Sequence, residues 1–264
     1  MWWAASYERV KVLYLAERYD KCLVEAQQLK AAYVTKGGPT LGARAAIYHS
    51  KAARALGRIP ESLESALEAV ALCQAERDND QLTIDALLTV IAAFSDDGSI
   101  QSSLPYRDRL EKVLEEIPDL QIRGQVAWAI GSVDLRLGRT KSGMAFHQIA
   151  CECISPRASL DLWNRFNLSA AAERLDCGVA DQQTLRCLEN ASKGNSILRT
   201  PGTDIKLALY NALFLSHTGQ WKRALAMVEP FGHRFREHPD SALRDTYAKL
   251  ITQCRAGREE ASSA

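Results

Sequence analysis

The chain has 264 residues, 47% of them hydrophobic, which supplies one substantial core or two smaller ones and excludes a disordered chain. Lys plus Arg (33) balance Asp plus Glu (32), so the formal charge of +1 excludes the long-range field that draws a chain to nucleic acid or an anionic membrane. No run approaches the roughly 18 apolar residues of a membrane span, and Met1, Trp2 and Trp3 open the sequence without the features of a signal peptide, so a cytoplasmic protein with no membrane contact is expected.

Taken in chain order, the predicted elements are helix pairs. A first helix carrying Tyr7 and Val10 ends at Glu17-Arg18-Tyr19, and a second begins with Cys22 and Leu23. After the breaker Gly37-Gly38-Pro39, Ile47 and Ser50 lead to the turn Gly57-Arg58-Ile59, then to Ser62 and Leu63. After Asp78-Asn79-Asp80, Leu88 and Ile91 lead to Gly98-Ser99-Ile100, then to Ser103 and Leu104. Ile117-Pro118-Asp119 opens a fourth pair, with Trp128 and Gly131 before Gly138-Arg139-Thr140 and Gly143 and Met144 after it. Ser155-Pro156 opens the fifth, with Leu168 and Ala171 before Gly178-Val179-Ala180. Thr200-Pro201-Gly202 opens the sixth, with Leu209 and Ala212 before Gly219-Gln220-Trp221 and Ala224 and Leu225 after it.

The turn glycines step by 41, 40, 40 and 41 residues, and Glu17 stands forty before Gly57, which makes six units. Large and small residues one helical turn apart on a single stripe are what close helix packing requires. The expected repeats are 3–34, 43–77, 83–116, 122–154, 160–193 and 204–238, within one domain over 1–257. A lone helix over 241–256, with Tyr247 in the apolar column, caps the stack, and 258–264 is expected as a disordered tail.

The run Gly219-Gln220-Trp221-Lys222-Arg223-Ala224, with its aromatic two places after glycine and alanine three further, resembles the turn of a tetratricopeptide repeat. The likeness extends over nearly the whole chain, at a period longer than the family's usual repeat of about 34 residues. Repeats near forty resemble the C-terminal sensor regions of bacterial helix-turn-helix transcriptional regulators. The resemblance implies an all-α fold, a right-handed α-solenoid of six helix-turn-helix repeats plus a C-terminal capping helix. It also implies a non-catalytic scaffold that holds a peptide or protein segment in a concave groove. The alternative it offers is the ligand- or peptide-sensing domain of a regulator without its DNA-binding module. HEAT-type helix pairs are of similar length but do not favour the glycine-aromatic turn.

Chemical motifs point away from catalysis. Gly37-Gly38-Pro39-Thr40-Leu41-Gly42-Ala43-Arg44 lacks the Lys-Ser/Thr ending and the preceding strand of a phosphate loop. His147, Cys151 and Cys153 share helical spacing, but zinc wants four ligands and no second cluster is offered. The seven cysteines form no CxxC pair and read as reduced thiols; no enzyme, metal or cofactor is expected. Two basic stripes, Arg107, Arg109, Lys112 and His233, Arg234, Arg236, are interrupted by Asp108, Glu111 and Glu237, so they read as solvated helix faces and no direct nucleic-acid binding is expected.

One stripe of the first helices stays polar in nearly every unit, at thirteen, nine, six and two residues before each turn, offsets that share a helical face. The resemblance places first helices along the groove, so Arg44, Tyr48, Lys51, Gln125, Ser132, Arg136, Arg165, Ser169, Lys206 and Tyr210 are the candidate ligand surface. Basic Lys11, Arg44, Lys51, Arg136, Arg165 and Lys206 outnumber acidic Glu8, Asp85, Asp96 and Asp176 on the whole stripe, so an acidic or C-terminal peptide segment is the expected partner. Tyr48, Trp128 and Tyr210 are the aromatics nearest to it. Trp2 and Trp3 open the first helix with apolar surface that a second copy of the chain or an upstream domain would cover.

Overall fold

Each first helix ends where one residue turns left-handed. Glu17, Gly57, Gly98, Gly138, Gly178 and Gly219 have φ values of 56°, 72°, 79°, 74°, 75° and 75°. At Gly57 the closing bonds run from Gly57 N–H to the Arg54 carbonyl (3.0 Å) and from Arg58 N–H to the Ala53 carbonyl (2.9 Å). This double closure satisfies the last carbonyls of a helix and needs a residue tolerant of positive φ. Glu17 makes the same closure without glycine, Glu17 N–H bonding Tyr14 (3.0 Å) and Arg18 N–H bonding Leu13 (2.9 Å).

The computed structural model describes residues 2–36, 38–74, 80–238 and 240–263. Gly37 and the linker residues Asp78 and Asn79, expected to break the chain, lie outside these. Among the described residues the chain is all-α, with no strand. The helices are α1 (Trp2–Leu15), α2 (Tyr19–Lys36), α3 (Pro39–Ala55), α4 (Ile59–Gln74), α5 (Asp80–Asp97), α6 (Leu104–Val113), α7 (Leu120–Arg136), α8 (Thr140–Cys153), α9 (Leu160–Asp176), α10 (Gln182–Leu198), α11 (Thr203–His217), α12 (Trp221–Val228), α13 (Gly232–Arg236) and α14 (Ser241–Ser263). Single 3-10 turns flank α6 at Ile100–Ser103 and Leu114–Glu116, and another, Glu229–Phe231, joins α12 to α13. Side-chain caps start several helices: Asp119 accepts from Ile122 N–H, Ser159 from Leu162 N–H and Asp181 from Thr184 N–H.

The chain packs as two compact units, Met1–Leu137 and Gly138–Ala264. In the first, α1, α3, α5 and α7 each pack on the next of that series, while α2, α4 and α6 each pack on the first helix that follows. Close approach is aided by alanine on the buried side of α3: Ala43, Ala45, Ala46, Ala52 and Ala53 are fully buried. Val10, Cys22, Ala26 and Leu29 fill the space between α1, α2 and α3. In the second unit α9 packs on α10 and α11, and α11 on α12 and α14. Its core gathers Ile205, Leu209, Val228, Phe235 and Leu250, with the Phe235 and Tyr247 rings stacked at 4.5 Å.

Two boundaries differ from expectation. A disordered tail was expected over 258–264, yet α14 continues as helix to Ser263. Gly257 does not stop the helix, because its role is close approach: a Cβ there would lie 2.6 Å from the Trp221 indole. Likewise α10 runs to Leu198, where Arg199 in the left-handed region (φ 52°) ends it. No helix among the described residues is long and apolar enough to cross a membrane.

Candidate binding face of the first helices

Arg44, Tyr48 and Lys51 fall at i, i+4 and i+7 on α3 and therefore on one face. The structure brings them together with α1. The Tyr48 ring meets Tyr7 edge-on at 5.8 Å and Tyr14 at 5.7 Å. Over these rings sit three cations: Arg44 and Lys11 lie 5.4 and 5.6 Å from the Tyr7 centroid, and Lys51 lies 5.5 Å from that of Tyr48. Each such contact is typically worth about 0.5–1 kcal/mol at an exposed site, enough to orient a long side chain. Lys11 also pairs with Glu8 at 3.0 Å, whereas Arg44 has no carboxylate partner among the described residues.

Burial governs the titration of this cluster. It pushes the Tyr48 phenol well up, and it raises the Tyr7 phenol against the opposing pull of Arg44 and Lys11. Asp85, on α5, is held above the usual carboxylate range by burial, with Lys51 opposing. The face is therefore an aromatic floor with half-buried cations above it, a surface suited to carboxylates arriving from solvent.

The other candidates are placed differently. On α7, Gln125 donates to the Gln121 carbonyl of its own helix (3.3 Å), Ser132 is half-buried, and Arg136 reaches across to the Ser95 carbonyl (3.3 Å) and hydroxyl on α5. In the second unit Arg165 pairs with Asp161 one turn back (2.8 Å), and Ser169 donates to Glu173 (3.3 Å). Lys206 is half-buried, and Tyr210 packs against the core, where burial pushes its phenol up to about 12. Tyr7 and Tyr14 were missed as site residues, because Tyr7 belongs to the column that is packed in the other units. The signal was available: Tyr7 and Tyr14 stand seven residues apart on α1 and so share one helical face. Of the two tryptophans, Trp3 packs partly on the N-terminal core, and the Trp2 side chain lies outside the described residues. Among the described residues Val12, Leu15 and Val24 are exposed apolar side chains of that end.

The basic stripe of α6 needs correction. Arg107 is no solvated residue; it is buried and holds Asp134 on α7 at 2.7 Å. The second stripe is exposed, with Arg234 paired to Asp204 at 2.7 Å and His233 to Glu237 at 2.9 Å. His147, considered above beside two cysteines, instead faces Glu173 at 3.3 Å across α8 and α9, with its ring against Phe166. Among the described residues no group of three His, Cys, Asp or Glu side chains is placed to hold a metal ion. No protein-family model matches the sequence, and no curated protein matches it.

Proposed function

We propose that the chain is a non-catalytic scaffold, a right-handed α-solenoid of tetratricopeptide-like repeats that grips an acidic or C-terminal peptide segment on the polar face of its first helices. One observation carries this reading. Within Met1–Leu137, successive first helices pack on one another, while α2, α4 and α6 share no comparable packing among the described residues. A stack whose helices crowd along one layer and spread along the other curves with the crowded layer inside. Arg44, Tyr48 and Lys51 lie on α3 of that inner layer, with Tyr7 beside them on α1.

A peptide in extended form would lay carboxylates against Arg44 and Lys51 and apolar side chains on the tyrosine floor. The exposed Val12, Leu15 and Val24 leave the N-terminal end open to a second copy of the chain. The test is selection from a random peptide library displayed with free C-termini. Enrichment of Asp, Glu or a terminal carboxylate beside an apolar residue supports the reading; enrichment of basic or purely apolar sequences opposes it.

A further inference from the structure

A second feature of the first unit stands apart from that face. Between the N-terminal turns of α5 and α7 and the C-terminal half of α6 lies a cavity of about 550 Å³. Small-molecule sites commonly span roughly 300–1,000 Å³. Its floor is apolar: Ile84, Leu87 and Ile117 are buried, and Ile122 is half-buried.

Two cations stand at the rim. Arg109 and Lys112 are one turn apart on α6, and among the described residues neither makes an ion pair or hydrogen bond with another side chain, in contrast to Arg107 two residues earlier with its three carboxylates. Two carboxylates, Glu116 and Asp119, line the same cavity, and neither is paired with Arg109 or Lys112 among the described residues. Asp119 is engaged as the cap of α7, accepting from Ile122 N–H at 3.0 Å, and Glu116 is exposed. The first turn of α5 also lines the cavity through Gln81, Thr83 and Ile84, presenting the positive end of an 18-residue helix. An apolar chamber whose mouth carries two cations with no side-chain partner among the described residues suits a molecule that is apolar along its body and anionic at one end.

We propose that this cavity binds a small amphipathic carboxylate, its body against Ile84, Leu87 and Ile117 and its head on Arg109 and Lys112. The proposal does not rest on the peptide-binding reading. The test uses the whole chain and decanoate, below its micellar concentration, in isothermal titration calorimetry, with decanol as the uncharged counterpart. Saturable one-to-one binding of decanoate is expected, with decanol roughly tenfold weaker or more. Arg109→Gln with Lys112→Gln should weaken decanoate by at least about tenfold, and Ile122→Trp, which fills the chamber, should remove binding while circular dichroism stays unchanged. No saturable binding, equal affinity for decanol, or decanoate binding unaltered in the correctly folded Arg109→Gln/Lys112→Gln protein would each overturn the proposal.

Discussion

The Arg107 guanidinium holds Asp134 with two prongs, Nε to Oδ1 at 3.2 Å and Nη2 to Oδ2 at 2.7 Å, and Asp134 is fully buried. The pair ties α6 to α7. Removing either partner leaves a buried charge without its nearest counter-charge. Arg107→Ala and Asp134→Ala are therefore each expected to cost about 3–5 kcal/mol. Urea unfolding of both variants measures the loss; a cost below about 1 kcal/mol in either would contradict this.

At the turns, a cost of pure backbone conformation can be isolated. Gly98 sits at φ 79° with nothing within 4 Å of where a Cβ would stand, so Gly98→Ala adds no clash and should lose roughly 1–2 kcal/mol from the left-handed conformation alone. Glu17 occupies the equivalent place at φ 56° with a side chain. Glu17→Gly should therefore stabilise the protein by up to about 1 kcal/mol, less the entropy glycine adds to the unfolded chain. Thermal unfolding of the two variants should move in opposite directions.

These turns were legible in the sequence because the constraint is local: a left-handed residue closing a helix selects glycine, and the spacing alone locates Glu17 among them. All six turn residues and the start of α14 at Ser241 follow from that periodicity. What the sequence concealed depends on residues far apart in the chain. Arg107 reads as part of a basic stripe until Asp134, 27 residues on, is brought beneath it. The cavity near Arg109 exists only once three helices meet. Gly257 reads as a helix stop because its close neighbour, Trp221, is 36 positions earlier. On the candidate face, that Arg44, Tyr48 and Lys51 share one side of α3 was legible from their i, i+4, i+7 spacing, but the tyrosine floor from α1 needed the packing of α1 on α3.

A tighter contact joins α9 to α10. A Cβ on Gly194 would stand 2.4 Å from Oδ1 of Asn164, a buried oxygen with no hydrogen-bond partner. Gly194→Ala should cost about 1–3 kcal/mol through overpacking. Asn164→Ala alone removes an unsatisfied polar atom, and added to Gly194→Ala it should recover most of the loss. A double-mutant cycle by urea unfolding measures this coupling; additive costs would show that the clash is relieved elsewhere.

His49 makes stability depend on pH. Burial, and next the charge of Lys30, hold its pKa below the ordinary 6.5, while its ring meets the Ser65 hydroxyl at 2.8 Å. The unfolded chain then binds this proton more readily than the folded one. The contribution is complete above about pH 6.5 and is lost as pH falls from there through the folded value. Urea midpoints should decline between pH 7.5 and 5, and His49→Gln should flatten that decline; an unchanged slope would assign it to other groups.

The central claim is that carboxylates of a bound peptide engage Arg44 and Lys51 above the tyrosine floor. The direct measurement is fluorescence anisotropy with the best acidic peptide from the library selection, comparing the native chain with Arg44→Ala/Lys51→Ala. Charge-assisted contacts are worth about 1.5–3 kcal/mol each, so the double variant should bind roughly two orders of magnitude more weakly or worse while keeping its helicity. Equal affinity in a correctly folded double variant would contradict the account and leave this stripe a solvated helix face.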